Sequence, residues 1–130
     1  MPGCVMRASG TGFDVDAFLG KSQFKPSVVY RKGQRRRPAS RGSQTASGFN
    51  VSISESEDPD EQVKSALRFL RENREEVLRL IRASGVENAT LELSCPQREF
   101  VSRIAHLPSE LLSAAGAFGI DIDVTFYLVA

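Results

Sequence analysis

No apolar run in this 130-residue chain approaches the roughly 20 residues a membrane-spanning helix needs, and no hydrophobic segment of the signal-peptide kind follows Met1. A membrane protein and an exported one are therefore not expected. Cysteine is scarce too. Cys4 and Cys95 stand without any CxxC pair, which excludes a disulfide framework and reads as two reduced, mostly buried thiols of a cytosolic protein. Without export, the glycosylation triplets at Asn50 and Asn88 carry no meaning. His106 is the sole histidine, so no metal site within the chain can draw on two imidazoles. Its place just before Leu107-Pro108 suits a loop or capping residue. Gly10-Thr11-Gly12 lacks the third glycine of a dinucleotide loop, no glycine-rich loop ends in Gly-Lys-Ser/Thr, and Ser109 has no G-x-S-x-G turn around it. These absences disfavour Rossmann, P-loop and serine-hydrolase chemistry. No catalytic residue, metal ligand or cofactor is expected.

What is present is ordinary in amount and uneven in distribution. A hydrophobic fraction of 41% and a charged fraction of 25% fit one soluble globular domain over residues 1–130. The net charge of +1 hides a split. Residues 1–54 carry nine Lys/Arg against Asp14 and Asp16, a balance of +7; residues 55–130 carry eight against fourteen acids, a balance of −6. No acid lies between Asp16 and Glu55. Such a split marks either a surface for an anionic partner or two halves that neutralise each other on folding.

Periodicity sets the elements. Residues 4–8 form a short strand-like run closed by Ser9-Gly10-Thr11-Gly12. A brief helix follows, with Asp14 as cap, Phe13 and Phe18 at staple positions and Gly20 as stop. Val28-Val29-Tyr30 has strand propensity. Residues 33–48, rich in Arg, Ser, Gly and Gln, show no periodicity and read as a flexible surface loop. Phe49, Val51 and Ile53 alternate with polar residues as a half-buried strand. Asp58, Pro59 and Glu61 compose a capping box that opens an apolar-striped helical region to about residue 84. Arg74 intrudes near the centre of that stripe, and Asn73 with Glu76 is a second capping signature, so a break near residue 72 gives two helices. Leu91, Leu93 and Cys95 alternate as another strand, a turn is expected over 96–98, and 100–104 reads as a weak strand or extended connection. Pro108 opens a helix to about Phe118, stopped by Gly119. In the last strand Ile120, Ile122, Val124, Phe126 and Leu128 face one way, and Asp121, Asp123, Thr125, Tyr127 and Val129 the other. The expected fold class is α+β: a two-layer sandwich with an antiparallel or mixed sheet of about five strands and helices packed on one face.

Two clusters are candidates for binding. Arg31, Lys32, Arg35, Arg36, Arg37 and Arg41 place six cations in eleven residues, a density suited to phosphates or carboxylates. Interleaved aromatics for stacking single-stranded bases are missing, with only Tyr30 nearby. Asp121, Asp123 and Tyr127 share the outer face of the last strand. Two carboxylates roughly 7 Å apart along a strand hold a cation or act as an acid/base pair only with a third group; otherwise they are solvated surface. The acidic run at Glu55, Glu57, Asp58, Asp60 and Glu61 is explained by the helix dipole beside it.

Several short features together resemble a family of small bacterial proteins catalogued as domain of unknown function 4279. They are Leu19-Gly20 after a short helix, Pro26, Arg31-Lys32-Gly33, the strand from Phe49 and the acidic-capped helical region. Pro108-Ser109-Glu110-Leu111-Leu112 and a closing strand with Phe126-Tyr127 complete them. The resemblance spans nearly the whole chain. Phe49 departs from it, standing where a tryptophan is expected in that family, so a role for such a residue does not transfer. The resemblance implies a bacterial cytosolic α+β domain, some of whose relatives look like immunity-type binding proteins, and it supplies no catalytic residues. The expected function is a non-enzymatic module that binds a protein partner, a second copy of the chain included, through the 31–41 loop and the outer sheet face. The alternative is an anion or nucleic-acid binder using the same arginines; a hydrolase built on Asp121 and Asp123 stands behind both. No membrane contact is expected, and the compartment is the cytosol.

Overall fold

The computed structural model describes residues 2–36, 42–98 and 102–129. Five strands, β1 (Gly3–Gly10), β2 (Val28–Tyr30), β3 (Ser47–Ser54), β4 (Asn88–Gln97) and β5 (Asp121–Leu128), join in one sheet of order β2-β3-β1-β4-β5. β1 runs antiparallel to β3 and β4, and β2 to β3, whereas β4 and β5 are parallel. Parallel neighbours need a crossover, and the helix α4 (Ser109–Phe118) supplies it. With α1 (Val15–Leu19), α2 (Pro59–Glu72) and α3 (Arg74–Ile81), the fold is α+β: a five-stranded mixed sheet with four helices packed against it. Among the described residues no helix is long and apolar enough to cross a membrane.

Alternation decides which face the helices cover. Met6 stands between Val51 and Leu91, and Cys4 and Ala8 lie on the same side as Phe49 and Leu93. All of these are buried. The helices close this layer with Val63, Ala66, Leu70, Val77, Leu80 and Leu111. Phe18 stacks on Phe49 with ring centroids 5.7 Å apart, and Phe13 and Phe24 flank the pair at 6.3 Å from Phe49. Burying each such ring stabilises the fold by roughly 1.5–3 kcal/mol before ordering costs.

Local signals behave as their chemistry directs, with instructive exceptions. Asp14 Oδ1 accepts from the Ala17 amide at 3.0 Å, and the Phe13 and Phe18 rings meet at 6.0 Å as in a staple. Asp58 Oδ1 caps α2 through the Asp60 amide at 3.1 Å. The reciprocal half of that box is replaced: the Asp58 amide donates to Ser56 Oγ at 3.1 Å, and Glu61 pairs with Lys64 instead. The helical region does break at Asn73, but the second capping signature does not form. Asn73 Nδ2 donates back to the Phe69 carbonyl at 3.0 Å, and Glu76 is drawn to Arg79 at 2.6 Å and to the Gln23 amide at 3.2 Å. The break turns Arg74 out of the apolar stripe, its guanidinium 6.0 Å from the Phe118 ring centre. Gly119 ends α4 at φ 74°, a left-handed conformation that suits glycine.

Two boundaries differ from expectation. β4 continues through Pro96 and Gln97, where a turn was expected. β1 stops at Gly3 opposite Ser94, so Pro96 lies past the strand that flanks that side and its missing N–H breaks no ladder there. The loop over 33–48 has a paired base: Gly33 donates to the Gln44 carbonyl at 2.8 Å, Gln44 to Gln34 at 2.7 Å and Arg36 to Gly42 at 2.9 Å. β3 begins at Ser47, which makes this segment the far part of the β2–β3 hairpin. Part of the 100–104 connection lies outside the described residues, and 102–108 has no regular structure.

Candidate functional site

The hairpin cations are not equivalent. Arg31 forks onto the Asp16 carboxylate, Nε to Oδ2 at 2.9 Å and Nη2 to Oδ1 at 2.7 Å. That pairing holds the Asp16 carboxyl below its ordinary range and raises the Arg31 guanidinium. It ties the root of the hairpin to α1. The Lys32 amide donates to Ser47 Oγ at 2.8 Å. Arg35 is exposed at the bridge to Ser43, and Arg36 is half-buried, its Nε without a partner among the described residues. Arg37 and Arg41 lie outside the described residues. So Arg31 is committed to a structural pair, while the Lys32 and Arg35 side chains are exposed.

The second candidate sits on the sheet face that no described helix covers. Arg7 of β1 stands level with Asn50 and Thr90, and Glu92 of β4 stands between Val5 and Asp123. Arg7 Nη2 lies 2.5 Å from Glu92 Oε2 and 3.7 Å from Asp123 Oδ2. One guanidinium therefore bridges acids from two strands. Asp121 opposes Thr90 and is exposed; Tyr127 opposes Pro96 and is half-buried. Among the described residues no group of three or more His, Cys, Asp or Glu is placed to hold a metal ion. The structure thus brings Asp123 into an ion cluster and leaves Asp121 facing solvent. Arg7 and Glu92 escaped the sequence reading. Each was visible as a polar residue of an alternating strand, but their meeting depends on β1 and β4 being neighbours, which no local pattern states.

The remaining chemistry-bearing groups fall elsewhere. His106 is exposed beside Asp60, Lys64 and Pro108. Open grooves on the helical layer are lined by Lys64, Leu67, Arg68 and Arg71. Both thiols are buried and free. Burial pushes the Cys4 thiol up to about 12, with Cys95 and Glu92 adding to the rise, and burial also raises Cys95. Neither is a thiolate at neutral pH. Gln62, fully buried, donates to the Ser56 and Ser94 carbonyls at 2.8 and 2.9 Å and approaches Cys95 Sγ at 3.8 Å. It stitches the start of α2 to β4.

These features define an α+β protein with one sheet face buried under helices and the other open and charged. The model of the family described as Domain of unknown function (DUF4279) matches residues 3–129, and the chain belongs to that family. No curated protein and no solved structure matches it.

Proposed function

We propose that the chain is a non-enzymatic, cytosolic protein-binding module of the immunity type, whose open sheet face is the contact surface. The observation that carries this reading is the Arg7–Glu92–Asp123 cluster on that face. Small-molecule sites are concave and mostly apolar. A broad face of rigid strands presenting alternating charge instead suits another macromolecule, where complementary charges set specificity and encounter rate. Arg35, exposed on the β2–β3 hairpin, is a further charged contact for such a partner.

The test begins with the protein encoded beside this gene, co-expressed and measured for a complex and for relief of any growth defect it causes. Arg7→Glu and Asp123→Arg are expected to weaken such a complex at least tenfold, and Arg68→Ala, on the helical layer, to leave it unchanged. Unchanged affinity in both face variants overturns the assignment of this surface. A second reading rests on Arg35, an exposed cation at the hairpin bridge: an anion or nucleic-acid binder using residues 31–41. Polyanion binding with a steep salt dependence, lost in Arg35→Ala/Arg36→Ala/Arg37→Ala, supports it. No binding at low salt removes it.

A further inference from the structure

We propose that the free edge of β5 pairs antiparallel with β5 of a second copy, joining two sheets across a two-fold axis. This goes beyond the protein-binding reading and uses a different surface, the strand's edge rather than the sheet's face. The two edges of the sheet differ. β2 is three residues long and is bracketed by Pro26 before it and Arg31 and Lys32 after it, the devices that keep an edge strand from pairing. β5 is eight residues long, pairs with β4 in unbroken register, and carries no proline or glycine. Its acids are confined to Asp121 and Asp123; from Val124 to Leu128 it has no charge. Phe126 is 37% exposed and Leu128 56% exposed there.

Backbone direction follows from one bond. The Val129 amide donates to the Gln97 carbonyl at 3.0 Å, toward β4. Since direction alternates along a strand, the N–H and C=O groups of Ile122, Val124, Phe126 and Leu128 point outward. An antiparallel mate centred on Thr125 then places Val124 against Phe126 and Ile122 against Leu128 on the helix side. On the other face Asp123 lies opposite Tyr127. The acidic half of each strand thereby meets the uncharged half of the other, whereas a parallel mate would stack Asp121 on Asp121 and Asp123 on Asp123. That charge arrangement selects the antiparallel self-pair. α4, packed on β5, exposes Leu112, Ser113, Gly116 and Ala117 with Glu110 as its one charge, and Arg103 lies 5.7 Å from the Phe126 ring centre, so each copy brings one cation to the helix side of the junction.

Light scattering after size exclusion is expected to give the mass of a dimer at micromolar concentration. Phe126→Lys/Leu128→Lys is expected to give a monomer with unchanged far-ultraviolet circular dichroism. Thr125→Cys tests the register without depending on that variant's folding. At a centred, non-hydrogen-bonded pair the two Cα atoms come within about 4.5 Å, inside the range a disulfide spans, and a disulfide forms under mild oxidation. Asp123→Cys, opposite Tyr127, is expected to cross-link at least tenfold more slowly. A monomer at every concentration overturns the proposal, as does a dimer that survives the two lysines or cross-links equally through Asp123→Cys. A monomer that instead takes up an unrelated extended peptide along β5 also overturns it, in favour of strand addition by another protein.

Discussion

At the scale of single residues, buried polar groups separate what packs from what reacts. Gln62 is fully buried and donates to two backbone carbonyls from different segments. Gln62→Ala leaves both carbonyls unpaired and a cavity behind. We expect it to lower unfolding free energy by about 2–4 kcal/mol, read from urea midpoints at constant m-value. A change below about 0.5 kcal/mol would show that the stitch is dispensable. The thiols behave oppositely: the sequence reading of reduced, mostly buried cysteines agrees with their burial. A thiol reagent at pH 8 is expected to label neither Cys4 nor Cys95 in native protein and both after unfolding. Labelling at the rate of a free thiol would contradict that burial. Because the folded Cys4 value of about 12 lies above its ordinary 9.0, its contribution to stability is complete below pH 9 and is lost as pH rises toward 12.

At the scale of elements, ion pairs and caps fasten pieces that hydrophobic periodicity only outlines. The Thr11 amide and hydroxyl both donate to Glu87 Oε1, at 2.5 and 2.7 Å, joining the turn after β1 to the one before β4. These bonds, the backbone one foremost, hold the Glu87 carboxyl below its ordinary 4.5, as the Arg31 fork holds Asp16 below 3.8. Carboxyls depressed in the folded state stabilise it above their ordinary values and lose that contribution as pH falls through the folded ones. Thermal midpoints measured from pH 7 to pH 2 are therefore expected to fall less steeply in Glu87→Gln and Asp16→Asn than in the parent, with the variants' deficit largest at pH 7. Parallel curves would show that the two clips do not titrate with unfolding. Element identity was legible in advance because caps, staple and alternation are local. The Asn73 break was legible through Arg74, but its capping was not, since Glu76 is claimed by Arg79 and Gln23 from outside its own turn.

At the scale of the whole molecule, the charge split becomes spatial. The +7 and −6 halves pair through Arg7 with Glu92 and Asp123, whereas Arg31 is neutralised by Asp16 within the first half. Arg7 and Asp123 are substantially exposed, and exposed pairs contribute little. Arg7→Ala is expected to change unfolding free energy by less than about 1 kcal/mol while weakening the proposed complex through that face. A larger loss of stability would make the cluster a structural device instead. What the sequence determined by itself was the α+β class, the strand and helix order and the inward faces that carry Phe49 and Val51, and Leu91 and Leu93, because those follow from short-range periods of burial and from capping chemistry. Tertiary structure alone decided the order β2-β3-β1-β4-β5, hence that Arg7 meets Glu92 and Asp123, that Arg31 is bound to α1, and that β5 ends the sheet. Pairing joins residues far apart in the chain, and a strand's pattern states which face is apolar without stating which strand lies beside it.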